Sequence, residues 1–321
     1  MRTLWGKFMR RGMRPPTRTE RWATPDDDFL DLHRLDAPAG APRLLILHGL
    51  EGTVRSHYAG GLLHEASQLG WAADLLIFRS CGNEPNRALR LYHSGETTDL
   101  DFVVRRLIAD DPARPLVIAG VSLGGNVLLK WLGEQGDRAP EQLRGAAAVS
   151  VPFDLARGSR HLDRGFSRFY QAHFLRSLRR KALAKSARYP EAFRPEVVLR
   201  AQTLYDFDDL VTAPVHGFRD ADDYYARSSS LPYLDRIRIS TLLLSARDDP
   251  FLPSEVLDEV RDVARTNPSL HLEFVERGGH VGFISGSVPW RPFYYAEWRA
   301  TEFLASSIGS RTTNESEERT T

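Results

Sequence analysis

The sequence predicts an α/β fold in which a mostly parallel sheet is flanked by helices, with a helical insertion late in the chain. Short apolar runs alternate with segments of helical periodicity over the first half of the sequence. These runs are apolar throughout rather than at every second residue, which is typical of parallel strands buried on both faces. The alternation stops after about residue 153 and resumes near residue 239, which indicates the insertion.

Length and composition favour one large core. The chain has 321 residues, of which 42% are hydrophobic and 26% charged, and its net charge of +1 gives no general attraction to nucleic acid. Cys81 is the single cysteine, so no intrachain disulfide can form and we expect a cytoplasmic protein. No run reaches the roughly 18 apolar residues of a membrane span, and no histidine or cysteine spacing indicates a metal site.

The first elements are strands and helices separated by turn-forming residues. Strands are predicted at 29–35 and 44–47, with the turn signal Ala-Pro-Ala-Gly at 37–40 between them. Helical periodicity then predicts a helix over about 56–69. An apolar run at 71–78 predicts the next strand.

The middle of the chain continues this alternation. Ser94 is a good N-cap residue for a helix that extends to about residue 109, and Glu96 would lie in its first turn, where the helix dipole favours an anion. The remaining strands are predicted at 116–119, 145–151, 239–245 and 270–275, and the remaining helices of the core at 123–132, 254–264 and 294–306.

These elements define four parts of the chain. Residues 1–20 are predicted to form a basic arm, and residues 21–153 and 236–308 the α/β core. The insertion at 154–235 is predicted to be a helical cap over one end of the sheet. The polar, aromatic-free residues 309–321 are predicted to be a disordered tail.

One serine stands where a strand passes into a helix. In GVSLGGN at 120–126, Gly120 and Gly124 flank Ser122 in the pattern G-x-S-x-G. This arrangement predicts a nucleophile elbow, which exposes the serine oxygen at the carboxyl edge of the sheet. The N–H of Leu123 would then point from the helix N-terminus towards an oxyanion. An ordinary glycine-rich turn is the alternative.

Three further segments supply what a nucleophilic serine requires. After the strand at 44–47, HGL at 48–50 offers the N–H of Leu50 as a second oxyanion donor, and His48 is interpreted as a loop-shaping residue. His280 lies among glycines after the last strand and is the candidate general base. Asp249 is preferred over Asp248 as the acid that orients this histidine, because Pro253 follows it at the spacing D-x-x-x-P.

The order Ser122, Asp249, His280 is the order found in α/β-hydrolases. Ser122 is therefore predicted to attack an ester-like carbonyl while His280 takes its proton, and Asp249 to hold the histidine tautomer. This combination of segments disfavours the ordinary turn.

Several longer strings resemble the YheT-like family of α/β-hydrolases, also called AB-hydrolase-4. They are HGLEG at 48–52, FRSCGNEPNR at 78–87, YHSGETTDL at 92–100, GVSLGGN at 120–126, HGFRDADDYY at 216–225, DDPF at 248–251 and GGHVGF at 278–283. The resemblance implies an α/β-hydrolase core, carboxylic-ester hydrolysis and no cofactor. Two residues depart from the family pattern: Ser80 and Asp27 stand where glycine is usual.

The insertion is expected to decide which substrate binds. Apolar residues of the insertion recur at spacings of three and four and predict an amphipathic helix with a solvated basic face; they are Phe166, Phe169, Tyr170, Phe174 and Leu178. The alternative is an acyl pocket whose cations, or those of the N-terminal arm, attract a membrane surface. Acidic runs at 206–209 and 220–223 exclude nucleic acid as a partner.

Three functions are compatible with the sequence. The first is a serine esterase or lipase that acts on a short- to medium-chain acyl ester or acylglycerol. The second is an alcohol O-acyltransferase of the same fold, and the third is a catalytically silent member that binds a small ligand. The intact serine, aspartate and histidine set favours the first two.

Overall fold

An eight-stranded sheet forms the centre of the computed structural model, which describes residues 14–165, 167–285 and 292–318. Its strands are adjacent in the order β1-β2-β4-β3-β5-β6-β7-β8. The strands are β1 (Arg18–Ala23), β2 (Phe29–Leu35), β3 (Arg43–Leu47), β4 (Ala72–Ile77), β5 (Leu116–Val121), β6 (Leu143–Val149), β7 (Thr241–Ala246) and β8 (Leu270–Val275).

The sheet is parallel except at one edge. β2 pairs antiparallel with both β1 and β4, and every pairing from β4 through β3, β5, β6 and β7 to β8 is parallel. Every residue of β4, β5 and β7 is buried, as expected for strands covered by helices on both faces. The predicted fold class is therefore confirmed.

Helices connect the strands and form the insertion. Those of the core are α1 (His57–Gln68), α2 (Thr98–Asp110), α3 (Leu123–Gln135), α10 (Val256–Ala264) and α11 (Tyr295–Glu318). Those after β6 are α4 (Leu155–Leu162), α5 (Ser167–Arg188), α6 (Pro195–Arg200), α7 (Leu204–Phe207), α8 (Ala213–His216) and α9 (Ala221–Ser228). Short 3₁₀ turns lie at Gly136–Arg138 and Leu231–Arg236, a π-helical turn at Asp208–Thr212, and a small hairpin pairs β9 (Ile284–Ser285) with β10 (Phe293–Tyr294).

Both ends of the chain differ from the prediction. β1 begins at Arg18, inside the segment predicted as the basic arm, because its backbone pairs with β2 along the edge of the sheet. α11 extends to Glu318, into the segment 309–321 for which the composition predicts a disordered tail. A helix that is already nucleated gains one hydrogen bond per added residue, so it can extend through a segment whose composition alone predicts disorder.

The start of α2 also differs. The helix begins at Thr98 rather than near Ser94, and Glu96 precedes it instead of lying in its first turn. The Glu96 carboxylate accepts hydrogen bonds from the N–H groups of Thr98 and Asp99, at 2.8 and 3.3 Å. Glu96 thus satisfies backbone donors that the helix itself leaves without partners.

The insertion has apolar clusters of its own. Between β6 and β7 the described residues form helices and turns without a strand, and two buried clusters pack within them, separate from the core around the sheet. The predicted apolar stripe on α5 is only partly correct. Tyr170 and Phe174 contact Phe251 of the core, but Phe169 is 78% exposed, and Phe166 lies outside the described residues. Spacings of three and four residues do not reveal which parts of a predicted apolar face are covered by neighbouring elements.

A buried arginine joins three segments at the end of β4. Arg79 is 1% exposed, and its guanidinium contacts the carboxylates of Asp28, at 2.8 Å, and Asp99, at 2.7 Å. The flanking residues Asp27 and Ser80 have φ values of +56° and +63°. These left-handed conformations explain why glycine is favoured at both positions in the family pattern.

Replacing Arg79 by methionine should destabilise the protein by about 3 to 5 kcal/mol, because two buried carboxylates lose their cation. Urea-induced unfolding measures this change. The matched control is Arg105→Met, which removes an exposed ion pair with Asp101 on α2 and should cost about 0.5 kcal/mol or less. Equal losses for the two variants would contradict the importance given to the buried network.

Candidate active site

Ser122 lies in a strained turn between β5 and α3. Its φ and ψ are +55° and −119°, a conformation that non-glycine residues seldom adopt. Close backbone approaches make this turn possible only with glycine on either side. A Cβ at Gly124 would lie 2.5 Å from the carbonyl oxygen of Leu47, and a Cβ at Gly120 would lie 2.5 Å from that of Gly124. The turn therefore has the geometry of a nucleophile elbow.

His280 and Asp249 extend from Ser122 in one line of hydrogen bonds. His280 Nε2 is 3.0 Å from Ser122 Oγ, and His280 Nδ1 is 2.8 Å from Asp249 Oδ2. Since an ionised carboxylate can only accept, the ring proton lies on Nδ1 and Nε2 is left to accept from the serine hydroxyl. The Asp249 side chain is fully buried, and its other oxygen accepts the N–H of Phe251 at 2.8 Å.

Asp248 has a separate role that the sequence did not reveal. Its Oδ1 accepts the N–H groups of Gly278 and Gly279, both at 2.7 Å. Asp248 therefore shapes the loop that carries His280, while Asp249 contacts the histidine itself. The two adjacent carboxylates differ in partner because successive side chains leave the backbone in different directions.

The two predicted oxyanion donors border Ser122. Within the described part of the chain, neither the N–H of Leu50 nor that of Leu123 has a hydrogen-bond partner, and both residues line the cavity that contains Ser122. The neighbouring N–H groups are engaged: Gly49 donates to Tyr58 Oη and Glu51 to Tyr92 Oη, both at 2.8 Å. The N–H of Leu50 is thus left available to a ligand, while the N–H groups of its two neighbours in the chain are hydrogen-bonded within the protein.

His48 forms hydrogen bonds that hold this loop in place. It is fully buried, its Nε2 accepts the N–H of Phe78 at 3.1 Å, and its Nδ1 donates to the carbonyl of Gly49 at 2.8 Å. Burial lowers the pKa of His48 from 6.5 to about 4. These contacts belong to a neutral, loop-shaping histidine.

Glu51 connects the same loop to the insertion. Its Oε1 accepts from Lys181 Nζ of α5 at 2.6 Å and from Tyr92 Oη at 2.7 Å, and its Oε2 accepts from Ser177. Glu51 also has a positive φ of +56°. Sequence reasoning missed this contact; the only signal was a charged residue inside an otherwise apolar loop.

A cavity of about 1010 Å³ lies between the sheet edge and the insertion. Ser122 and His280 open into it, and its wall beside His280 is aromatic. The ring of Phe251 is 4.2 Å from that of His280 and 4.7 Å from that of Tyr170, and Phe174 packs on its far side. A long apolar group could occupy this space next to the serine.

Other kinds of site receive no support from the described residues. No group of three or more histidine, cysteine, aspartate or glutamate side chains among them could hold a metal ion. None of the helices in the described ranges is long and apolar enough to cross a membrane. Cys81 is buried, and burial raises the pKa of its thiol to about 11.

The fold agrees with comparisons to known proteins. Residues 42–287 match the model of the alpha/beta hydrolase fold family. The chain therefore belongs to the α/β-hydrolases. It is 37% identical over 316 residues to the protein named "Putative esterase YheT" of Escherichia coli (strain K12), a match that covers 97% of this chain and 91% of that protein. Within the α/β-hydrolases, the chain is a member of the YheT-like family.

More distant relatives carry esterase and lipase names. The chain is 32% identical over 249 residues to phospholipase ABHD3 of Mus musculus and 30% identical over 284 residues to monoacylglycerol lipase of Saccharomyces cerevisiae, covering 77% and 85% of this chain. The matches span 60% of each of these longer proteins. The solved structure of Pyrococcus furiosus esterase PF2001 has a TM-score of 0.60 at 16% identity, covers 91% of both chains and shows the same fold.

The buried state of His48 predicts a pH dependence of stability. Its pKa of about 4 in the folded protein lies below 6.5, so the unfolded chain binds a proton that the folded protein excludes. Its contribution to stability is therefore present above about pH 6.5 and is lost as the pH falls towards 4. Between pH 7 and pH 5 this loss amounts to about 2 kcal/mol.

Urea unfolding of the wild-type protein and His48→Asn at both pH values measures this contribution. Asparagine can still donate to the carbonyl of Gly49 but does not titrate. The difference in unfolding free energy between pH 7 and pH 5 should be smaller in the variant by about 2 kcal/mol. An identical difference in both proteins would contradict the neutral state of His48.

Proposed function

We propose that this chain is a serine carboxylic-ester hydrolase that forms an acyl-enzyme on Ser122. The observation that carries the proposal is the line of hydrogen bonds from Asp249 through His280 to Ser122, 2.8 and 3.0 Å long. Two unengaged backbone N–H groups, those of Leu50 and Leu123, lie beside the serine. Nucleophile, base, orienting acid and oxyanion donors are the full set that acyl transfer requires.

Acylation begins with the proton of Ser122. His280 Nε2 accepts this proton as Ser122 Oγ attacks the ester carbonyl, and the Asp249 carboxylate stabilises the imidazolium that forms. The carbonyl oxygen becomes an oxyanion, which the N–H groups of Leu50 and Leu123 bind. Each such donor contributes about 3 to 4 kcal/mol to transition-state stabilisation. His280 then gives its proton to the departing alcohol, and the acyl group remains on Ser122.

Deacylation repeats these steps with water. His280 takes a proton from the water molecule that attacks the acyl-enzyme, the same two amides bind the second oxyanion, and the proton returns to Ser122 Oγ as the acid leaves. An alcohol in place of water would give acyl transfer by the same residues.

A short- to medium-chain acyl ester or acylglycerol is the substrate class that we propose. The aromatic wall formed by Tyr170, Phe174 and Phe251 offers an apolar surface close to His280. Relatives named esterase, monoacylglycerol lipase and phospholipase support an ester of this kind.

Hydrolysis of p-nitrophenyl octanoate by Asp249→Asn and Asp248→Asn tests both the function and the choice of acid. Asp249→Asn should lower kcat about 10⁴-fold, because the amide no longer stabilises the imidazolium or the required tautomer. Asp248→Asn is the matched control. Its amide oxygen can still accept from Gly278 and Gly279, so kcat should fall less than about tenfold.

The outcomes separate the alternatives. A larger loss for Asp248→Asn than for Asp249→Asn would reverse the assignment of the acid. A wild-type protein that hydrolyses no acyl ester would contradict the enzymatic proposal and favour a ligand-binding role. Ester products that dominate over free acid when an alcohol is added would favour an acyltransferase.

A further inference from the structure

A helical segment of the insertion lines part of the cavity and carries polar side chains. The segment 204–216 is a continuous helical run made of α7, the π-helical turn and α8. Three polar residues of this segment, at spacings of four, line the cavity and form the polar strip: Asp208, Thr212 and His216. π-Helical turns are rare and often occur at functional sites. The mechanism proposed above assigns no role to this strip, and the strip is not part of the aromatic wall.

Asp208 is the most unusual member of the strip. Its carboxylate accepts one hydrogen bond from Thr212 Oγ1 and one from Tyr225 Oη, both at 2.7 Å. None of the arginine and lysine side chains that the structure describes forms an ion pair with it. Burial raises the pKa of Asp208 to about 6. A carboxylate has roughly four acceptor positions, so this one retains capacity for a further donor.

His216 adds a second unused polar atom. In the described part of the chain its Nε2 is buried and has no hydrogen-bond partner. The ring of His216 packs 4.5 Å from that of His93, which also lines the cavity. Burial lowers the pKa of His216 to about 4, so the ring is neutral near pH 7. A buried polar atom without a partner costs free energy unless a ligand or water satisfies it.

Hydrogen bonds connect this region to the nucleophile. The N–H of Asn126, on α3, donates to the carbonyl of Ser122 at 3.1 Å, and its side-chain amide donates to the carbonyls of Ser94 and Ser228, both at 2.8 Å. The N–H of Ser94 in turn donates to Tyr224 Oη at 2.9 Å. Tyr224 also lines the cavity, next to Tyr225. The polar strip is thus held in a defined position relative to Ser122.

We propose that Asp208, Thr212 and His216 form a subsite that binds a hydroxyl group of the substrate, remote from the ester that Ser122 attacks. The hydroxyl donates to Asp208, and a second polar atom of the substrate satisfies His216 Nε2. This inference rests on the proposed esterase function. The hydroxyl belongs either to the alcohol portion or to the far end of the acyl chain, and both sources share this chemistry.

An uncharged hydroxyl suits the subsite better than a cation. The Asp208 carboxylate is already stabilised by two hydroxyl donors, and a ligand ammonium that paired with it would lose part of its hydration in the cavity.

Three octanoate-derived esters test the subsite: 2,3-dihydroxypropyl octanoate, ethyl 8-hydroxyoctanoate and the plain ester propyl octanoate. The quantity compared is the ratio of kcat/KM for a hydroxylated ester to kcat/KM for the plain ester. For the wild-type protein this ratio should exceed one for one of the two hydroxylated esters, and that ester shows whether the hydroxyl belongs to the alcohol portion or to the acyl chain. Asp208→Asn should reduce this ratio about tenfold, because a hydrogen bond to a carboxylate is lost. Asp222→Asn, at an exposed position of α9, is the matched control and should keep the wild-type ratio.

A second variant guards against a folding defect. Thr212→Val keeps the side-chain volume but removes one donor to Asp208, and it should also lower the ratio, by a smaller factor. Wild-type ratios near one, or equal losses on all three esters in Asp208→Asn and Thr212→Val, would overturn the subsite. A preference for choline octanoate that Asp208→Asn abolishes would overturn the hydroxyl assignment. Failure of the esterase function is distinguishable, since the wild-type protein would then hydrolyse none of these esters.

Discussion

The close approach of α3 to the end of β3 is the constraint on which the site depends. Gly124 lies so near the Leu47 carbonyl that no side chain fits there, and the chain reverses from β5 into α3 within one strained residue. This contact exposes Ser122 at the carboxyl edge of the sheet and places the N-terminus of α3 beside the loop that begins at His48. The two proposed oxyanion donors, Leu50 and Leu123, therefore come from two elements that one packing contact holds together.

A second layer of contacts holds the catalytic loops in place. His48 forms a hydrogen bond in the loop that carries Leu50, and Asp248 accepts from backbone N–H groups of the loop that carries His280. Glu51 lies in the first of these loops and accepts from Tyr92. Glu51 in addition accepts a hydrogen bond from Lys181 of α5, which joins the loop at 48–52 to the insertion. A change in the insertion could therefore alter both substrate binding and the position of the Leu50 amide.

The buried strands and the order of Ser122, Asp249 and His280 could be predicted because they leave local signals: continuous apolar runs, glycines beside a serine, and loops after strands. β1 gave no such signal, because an edge strand with exposed side chains lacks an apolar run. The roles of Asp248, Glu51 and Asp208 depend on partners 30, 130 and 17 residues away in the sequence, which no local pattern encodes. The preference of the family for glycine at the positions of Asp27 and Ser80 is explained only by the positive φ values that the structure shows there.

The central claim is that Ser122 carries the acyl group during turnover. Rapid mixing with p-nitrophenyl octanoate, acid quenching within the first turnover and mass spectrometry of the digested protein test it directly. The proposed mechanism predicts a burst of p-nitrophenol and an octanoyl adduct on the peptide that contains Ser122, both of them absent in Ser122→Ala. Steady hydrolysis without an adduct, or an adduct on another residue, would contradict the mechanism.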